Sequence, residues 1–401
     1  MNNSIEYMQK AKSLRDVDVE GKRVLIRVDF NVPLDENHNI TDDTRITHAL
    51  KTIDYCIDHK ARYIVLVSHL GRPKQRDENL SLKPVAKRLE RLLKEKVMFI
   101  EDFEKEGDEV LKADNSQVIL FENIRFYEGE TKNSPDLAKE LAKFADVYVN
   151  DAFGASHRKH ASTYGVAQYV GVKVAGFLLK SEIDAFAKAL DDPIKPILLI
   201  IGGAKVSSKI TLLTNILPKV DRIIIGGAMS NTFLKATGID TRASLVEDDY
   251  LDKAREILDD AKKAGVKIYL PFDVVAADNL KNPTNVQITP IYDIEEGLIA
   301  VDIGPASLQM FEEVVDMSNT IIWNGPMGVF EQERFSRGTI KLAHRVADSY
   351  AYTIVGGGDT VNAVNKAGEA ENMSFVSTGG GASLELLEGS ILPAFEVLDK
   401  K

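Results

Sequence analysis

The sequence PILLIIGGAKVSSK, residues 196–209, passes from a short apolar run into two glycines and then into lysine and serine. An apolar run of this length predicts a buried strand, and the glycines mark its end. Comparable strand-like runs occur at residues 24–28, 63–67, 118–121, 147–149, 222–225, 321–323, 353–355 and 374–376. Longer segments with apolar residues at helical spacing lie between them. This alternation predicts an α/β fold whose parallel sheets are covered by helices.

The length of 401 residues favours two domains, and the middle of the chain shows where they join. A glycine-punctuated stretch leads into an amphipathic helix from about Leu178 to Leu190, which the loop DDPIKP follows. We therefore expect a first domain over residues 1–176 and a second over 177–385, with residues 177–190 as a connector helix.

Composition excludes several classes of function. The 50 basic residues against 61 acidic ones give a formal net charge of -11, and no long basic run occurs, so nucleic acid is not an expected partner. Cys56 alone allows neither an internal disulfide nor a multi-cysteine metal site. No apolar stretch approaches the roughly 20 residues of a membrane span, and the first residues resemble no signal or transit peptide. We expect a cytoplasmic protein.

Polar and basic side chains follow the strands of the first half. Ligands of parallel α/β sheets lie beyond the carboxyl ends of the strands. Each residue has an ordinary alternative: an Asx turn for Asp29 and Asn31, a buried structural role for His69, and solvent exposure for each arginine. Together they predict a site for a small polyanion, because clustered guanidinium groups repel one another unless an anion lies between them. The residues are Asp29, Asn31, Arg45, His69, Arg72, Arg125 and Arg158.

Glycines follow the strands of the second half. Those at 356–358 and 379–381 open helices, where free N–H groups bind phosphate oxygens. Lys205 and Lys209 are expected one helical turn apart on one face. Asp359 is the carboxylate within these glycine clusters and is a candidate ligand for Mg²⁺. Neither GxxxxGK[ST] nor a well-placed GxGxxG occurs, so we expect a nucleotide site of another type.

The ordered motifs of the chain resemble those of the phosphoglycerate kinase family, and the resemblance covers nearly the whole sequence. In chain order they are LIRVDFNVP, SHLGRPK, ENIRF, GASHRKHAS, GGAKVSSKI, WNGPMGVFE, VGGGDT and STGGGASLELLEG. Two departures are small. Ile124 stands where the family commonly has Leu, and residues 154–162 differ from the usual GTAHRAHAS at Ala155, Ser156 and Lys159.

The resemblance implies two Rossmann-like domains, each a parallel sheet covered by helices, facing a cleft. It implies that residues 386–401 return to the first domain and that the protein is a monomer. The seven residues of the predicted polyanion site would bind 3-phosphoglycerate. MgADP or MgATP would be bound by Gly203, Lys205, Lys209, Gly227, Asn324, Gly328, Glu331, Gly356, Gly357, Gly358, Asp359 and Thr360, with Asp359 on the metal and Glu331 on the ribose.

The implied reaction is reversible phosphoryl transfer between 1,3-bisphosphoglycerate and MgADP, by direct in-line transfer after hinge closure. Arg45 and Lys205, helped by N–H groups such as those of Gly358 and Gly380, would stabilise charge in the transition state. Two alternatives remain at this point. One is a kinase for another small phosphorylated acid, and the other is a nucleotide or metabolite sensor without catalysis.

Overall fold

The computed structural model describes residues 4–401, which form two compact units. The first unit contains the chain up to Asp184 together with Ile391–Lys401, and the second contains Ala185–Ser390. The expected domain limits, at residues 176 and 385, lie eight and five residues before the limits of these units. The boundary at Asp184 falls inside a single helix, Phe177–Leu190.

A six-stranded parallel sheet forms the centre of the first unit. Its order is β3-β4-β2-β1-β5-β6, with strands β1 (Arg23–Val28), β2 (Tyr63–Val67), β3 (Val97–Ile100), β4 (Gln117–Phe121), β5 (Val147–Asp151) and β6 (Val172–Ala175). Every residue of β2 and β5 is buried, which is usual when helices cover both faces of a parallel sheet. The carboxyl ends of β1, β2, β4 and β5 are neighbours and carry the polar motifs.

Within residues 4–184, one short α-helix precedes the strands of the first unit and five others lie between or after them, the last of which continues into the second unit. They are α1 (Ser4–Gln9), α2 (Thr44–Asp58), α3 (Lys83–Leu93), α4 (Phe103–Val110), α5 (Pro135–Ala142) and α6 (Phe177–Leu190). The buried face of α3 presents Val85, Ala86 and Leu89 to the same apolar cluster that holds β1 and β2. This packing fixes the sheet beneath the loops that carry the arginines.

The last residues of the chain complete the first unit. The N–H of Lys12 donates to the carbonyl of Asp399 at 2.7 Å, and the N–H of Asp399 donates to the carbonyl of Lys173 at 2.9 Å. Phe395 is fully buried and Leu392 is as well. These contacts hold the end of the chain between its first residues and the β6 edge.

The second unit contains a six-stranded parallel sheet and a smaller antiparallel one. The large sheet has the order β15-β14-β13-β7-β8-β9, and the small sheet has the order β11-β10-β12. The strands are β7 (Ile197–Ile201), β8 (Arg222–Ile225), β9 (Lys267–Tyr269), β10 (Asp273–Ala277), β11 (Val286–Pro290), β12 (Ile299–Ile303), β13 (Thr320–Asn324), β14 (Tyr352–Gly356) and β15 (Phe375–Val376).

Three helices of the second unit, Pro305–Asp316, Arg337–Asp348 and Gly358–Ala367, pack in one apolar cluster with Trp323 of the large sheet. The helices of this unit are α7 (Ile210–Ile216), α8 (Met229–Ala236), α9 (Leu251–Ala264), α10 (Pro305–Asp316), α11 (Arg337–Asp348), α12 (Gly358–Ala367) and α13 (Gly381–Leu387); α14 (Pro393–Glu396) belongs to the first unit. Two parallel sheets covered by helices confirm the predicted α/β class. Within residues 4–401, none of the helices has the length and apolar character needed to cross a bilayer.

Candidate active site

The seven polar residues predicted in the first unit form one connected group, here called the basic site. Asp29 directly follows β1 and is buried, and Arg45 lies in the first turn of α2. The Arg45 guanidinium donates to the Asp29 carboxylate. Burial raises the pKa of Asp29, but the charges of Arg45 and Arg27 and the other polar groups around it together outweigh this effect, and the pKa is lowered overall. Asp29 is therefore ionised and holds Arg45 at the end of the strand.

Asp29 also makes the local contact that an Asx turn requires. The N–H of Asn31 donates to Asp29 Oδ1 at 3.3 Å. The turn and the ion pair thus coexist, because the two carboxylate oxygens serve different partners. Asn31 Oδ1 in turn accepts from the N–H of Gly71 at 2.8 Å, which joins the loop after β1 to the loop after β2.

His69 is buried and faces Arg27, an arginine that is not among the seven predicted residues. Arg27, fully buried in β1, has Nη2 3.2 Å from His69 Nδ1, and its Nε donates to Ser162 Oγ at 2.8 Å. Burial lowers the pKa of His69 well below its ordinary value, and the nearby arginines lower it further. His69 is neutral at physiological pH and contributes hydrogen bonds rather than charge.

Arg125 and Arg158 are close enough to affect one another electrostatically. Burial, together with the charges of Arg158, Arg27 and Arg72, lowers the pKa of Arg125 to about 10. The Arg125 guanidinium donates to the carbonyl of Gly71, while its buried Nε has no hydrogen-bond partner among the described residues. Arg72 is exposed beside Gly71. A crowded group of arginines with an unused donor is suited to bind a polyanion.

Arg158 follows β5 in a short irregular segment. Its Nε donates to His157 Nε2 at 3.0 Å. Burial lowers the pKa of His157 to about 4, and the charge of Arg158 contributes to the shift. His157 is therefore neutral and accepts the hydrogen bond, which orients the Arg158 guanidinium without adding charge.

The buried carboxylate of Glu130 balances the positive charge of Arg27. Glu130 is fully buried and accepts from the Ser162 hydroxyl at 2.7 Å and from the Ser162 N–H at 2.9 Å. Burial raises its pKa, but hydrogen bonds from His160 and Ser162 and the charge of Arg27 lower it overall. Sequence reasoning missed this support. Its signal was an arginine inside the apolar run VLIRV, because a charge within a buried strand requires partners.

The second unit has two adjoining cavities of about 210 and 270 Å³ at the carboxyl ends of its parallel strands. Gly203, Ala204, Pro326 and Asp359 line both cavities, which therefore form one continuous crevice, here called the glycine-rich crevice. The backbones of adjacent strand-end loops touch there. The N–H of Gly203 donates to the carbonyl of Pro326 at 3.2 Å, and a Cβ on Gly202 would collide with the Pro326 carbonyl.

One end of the glycine-rich crevice is lined by groups suited to phosphate. Lys209 donates to Asn324 Oδ1, and Asn324 Nδ2 is buried without a hydrogen-bond partner among residues 4–401. Burial lowers the pKa of Lys209 to about 8, against the opposing charges of Asp359 and Glu388. Lys209 and Asn324 therefore both have N–H groups available to a ligand in this cavity. A bound anion would raise the pKa of Lys209 again.

The start of α12 lies at the same end. Gly357 adopts φ 89°, a conformation that glycine reaches without strain, and Gly358 begins the helix. Gly357, Gly358, Asp359, Thr360 and Gly380 line the cavity, so the first N–H groups of α12 face it. No group of three or more His, Cys, Asp or Glu residues suited to a metal occurs among residues 4–401. Asp359 is exposed and single, which fits Mg²⁺ completed by phosphate oxygens and water.

The other end of the glycine-rich crevice is less polar. Gly227, Met327, Gly328 and Val329 line it, with the exposed Glu331 at its edge. Its wall includes the buried carboxyl of Asp302, whose Oδ2 accepts from the N–H of Gly338 at 2.7 Å. Small residues and one accessible carboxylate suit a flat ring and its attached sugar.

Two residues of the predicted nucleotide site lie outside both cavities. Gly356 ends β14, and Lys205 is exposed without lining either cavity. The expectation that Lys205 and Lys209 share a helix face is wrong, because α7 begins only at Ile210. The serines between the lysines bind other groups: the Ser207 N–H and hydroxyl donate to Glu247, and Ser208 Oγ donates to the carbonyl of Lys205. Such contacts compete with helix formation.

Sequence relatives match this arrangement along the whole chain. The family profile of phosphoglycerate kinase matches residues 14–390. A phosphoglycerate kinase of Wolinella succinogenes is 63% identical over 397 residues, covering 99% of both chains. One of Helicobacter pylori is 58% identical over 397 residues, again with 99% of both chains covered.

Solved structures agree with the sequence relatives. The phosphoglycerate kinase of Coxiella burnetii superposes with a TM-score of 0.87 at 44% identity, covering 96% of this chain and 98% of that one. That of Pyrococcus horikoshii gives 0.84 at 31% identity with the same coverage. With the motifs at the strand ends of both sheets, these matches show that the chain belongs to the phosphoglycerate kinase family.

Proposed function

We propose that this enzyme binds its phosphorylated acid at the basic site and its nucleotide in the glycine-rich crevice, and transfers the phosphoryl group directly between them. The activity is that of its family, an ATP:3-phosphoglycerate phosphotransferase acting reversibly in glycolysis and gluconeogenesis. 1,3-Bisphosphoglycerate and MgADP give 3-phosphoglycerate and MgATP. The proposal concerns which residues carry each part of this reaction.

The observation that carries the assignment of the acid site is the crowding around Arg125. Three arginines lower its pKa in addition to burial, and its Nε has no hydrogen-bond partner among the described residues. A phosphate or carboxylate would relieve this repulsion and satisfy the donor. Asp29 and Asn31 offer oxygens next to these cations, so a hydroxyl can be oriented by the same group. A phosphorylated hydroxy acid uses both properties.

The glycine-rich crevice has a matching division of roles. The N–H groups that begin α12, with Lys209, Asn324 and Thr360, would bind the phosphates. Glu331 would accept from the ribose hydroxyls. Asp359 would hold Mg²⁺, which when bound neutralises part of the phosphate charge. The small residues around Gly203, Gly227 and Gly328 leave room for the base.

Phosphoryl transfer needs alignment and charge stabilisation rather than a protein nucleophile. We assign the stabilisation to Arg45, already held by Asp29, to Lys205, and to the N–H groups of Gly358 and Gly380. Gly356 would support the turn into α12. Since the two ligands bind to different units, direct transfer requires a hinge closure that brings them together and excludes water.

A coupled assay tests the function. 3-Phosphoglycerate and MgATP are supplied with glyceraldehyde-3-phosphate dehydrogenase, and NADH consumption is followed, with each component omitted in turn. We expect consumption that depends on every component. Nucleotide binding without turnover would instead favour another acid substrate or a sensor.

We further propose a cytoplasmic monomer, in keeping with an acidic chain that has one buried cysteine. Sedimentation velocity tests the oligomeric state.

A further inference from the structure

Asn123 is a fully buried residue between β4 and Arg125, and its side-chain amide uses all of its hydrogen-bonding capacity. Oδ1 accepts from the N–H of Leu70 at 3.2 Å and from the N–H of Arg125 at 3.1 Å. Nδ2 donates to the carbonyls of Leu70 at 2.7 Å and Leu80 at 3.0 Å. Two N–H groups face the oxygen and two carbonyls face the nitrogen, so the partners define a single orientation of the amide.

These partners belong to the segments that carry two arginines of the basic site. Leu70 precedes Gly71 and Arg72, and the Arg125 guanidinium donates to the carbonyl of Gly71. Leu80 closes the same loop, and a Cβ on Gly71 would lie only 2.9 Å from the Leu80 side chain. One amide therefore joins both ends of the loop over residues 70–80 to the backbone of Arg125.

The neighbouring Glu122 shows that the role of Asn123 is distinct. Glu122 accepts from Ser81 Oγ at 2.6 Å and from the N–H of Leu82 at 2.8 Å, immediately before α3. Two of its contacts thus lie at the start of a helix of the fold, and a third is the N–H of Asn123 at 2.7 Å. The contacts of Asn123 instead go to backbone that presents side chains to the basic site.

The arginines need such support. Arg158, Arg27 and Arg72 lie close enough to add to the effect of burial on the pKa of Arg125, and their mutual repulsion favours separation when no anion is bound. A site that holds its cations in place before the ligand arrives avoids the cost of ordering them on binding. Backbone hydrogen bonds that do not involve the guanidinium groups can provide this preorganisation.

We propose that Asn123 is a positioning residue for the acid substrate, which holds Arg125 and the Arg72 loop in register. The inference rests on the proposed function, since it acts through the basic site. It assigns no contact between Asn123 and the substrate. The effect of losing the amide should therefore appear in the KM for 3-phosphoglycerate and depend on the presence of Arg125.

The test compares Asn123→Ala, Arg125→Ala and the double variant in the coupled assay. Asn123→Ala should raise the KM for 3-phosphoglycerate about tenfold while the KM for MgATP changes less than about twofold. In the Arg125→Ala background the same change should have a clearly smaller effect, because residues acting through one group are not additive. Val85→Ala, a buried change in α3, is the control for lost stability alone and should leave both KM values near those of the wild type.

The outcomes separate the two proposals. If Arg125→Ala leaves the KM for 3-phosphoglycerate unchanged, the proposed acid site is wrong. If Arg125→Ala raises it and Asn123→Ala does not, or if the two effects multiply independently, the positioning role is overturned. Should Asn123→Ala fail to fold, the near-isosteric Asn123→Asp carries the test. It loses both donations to Leu70 and Leu80, and an unchanged KM for 3-phosphoglycerate would overturn the proposal.

Discussion

Arg45 is held at the end of β1 by its ion pair with the buried Asp29. Replacing Arg45 by Ala should lower kcat about 100-fold or more, because a fixed charge directed at the transferring group is lost. Steady-state kcat in the coupled assay measures the effect. Arg62→Ala, an exposed arginine of the same unit, is the control and should keep kcat. A kcat for Arg45→Ala near that of the wild type would remove this residue from the catalytic role.

Asp302 should make the stability of the second unit depend on pH in an unusual direction. Burial raises its pKa to about 7, against hydrogen bonds from the N–H groups of Gly338 and Ile303. Between about pH 4 and 7 the folded state keeps a proton that the unfolded chain releases, so stability falls as the pH rises. The accumulated cost at pH 8 is on the order of 4 kcal/mol.

Asp302→Asn removes this titration. Between pH 5 and pH 8 the unfolding free energy of the variant should fall less than that of the wild type. The variant should therefore become more stable relative to the wild type as the pH rises. Urea unfolding followed by the fluorescence of Trp323, the one tryptophan of the chain and fully buried in the second unit, measures it. Parallel pH profiles for the two proteins would show that Asp302 is ionised throughout.

Residues that face a ligand could be recognised from sequence more readily than those that support them. Asp29 and Arg125 follow strands at the carboxyl-end edge where ligands of parallel sheets lie, so their positions already indicated a site. Arg27 and Glu130 pair through Ser162 across a long sequence separation. Nothing local in the sequence shows that pairing, because it depends on how β1 meets the segment after β5.

In the loops that follow β7 and β13, glycine is required because the two backbones lie in close contact. A Cβ on Gly202 would collide with the Pro326 carbonyl, and one on Gly325 would collide with the backbone of Gly202. Gly202→Ala should therefore displace the loop and weaken ADP binding at least about tenfold, since overpacking costs about 1–3 kcal/mol.

Calorimetric titration with MgADP measures that loss. Gly171→Ala is the matched control, because a Cβ at Gly171 meets no atom within 4 Å and the residue lies in the other unit. It should bind MgADP as the wild type does. Unchanged affinity in Gly202→Ala would mean that the loop adjusts without moving the crevice.

Strands inside the parallel sheets were predictable, whereas most edge strands were not; β15 is an exception, an edge strand that falls within the predicted run at residues 374–376. β2 and β7 are fully buried, so their residues form uninterrupted apolar runs. β9 and β11 lie at sheet edges and mix exposed and buried residues. β11 and β12 of the small antiparallel sheet mix buried and partly exposed residues, and such strands do not differ clearly from loops in composition. Its central strand, β10, is mostly buried, so exposure does not explain why it was not predicted.

The whole molecule must bring two ligands together if transfer is direct. We expect small-angle scattering to show a smaller radius of gyration when 3-phosphoglycerate and a non-hydrolysable MgATP analogue are bound together than with either one alone. The ligand-free protein and the two single-ligand samples are the controls. An unchanged radius with both ligands would argue against hinge closure as the step that precedes transfer.

Substitution of Phe395 measures how much residues 391–401 stabilise the first unit. Its side chain is fully buried, so Phe395→Ala should destabilise that unit by about 3–5 kcal/mol. Differential scanning calorimetry measures the loss, and MgADP affinity should persist because the crevice lies in the second unit. Glu396→Ala removes only a half-exposed ion pair with Lys159 and should change the unfolding temperature little. Equal unfolding temperatures for Phe395→Ala and the wild type would contradict this role.

The return of Ile391–Lys401 to the first unit also sets an order of events during translation. The second unit is continuous, so a ribosome can deliver all of it before the first unit, begun earlier, has its last residues. A nascent chain that stops short of Phe395 therefore leaves the ribosome with the surface that α14 covers, around Ser156 and residues 161–165, still exposed. Chaperones and proteases recognise such surface, so the cell can detect an unfinished copy by its amino-terminal half.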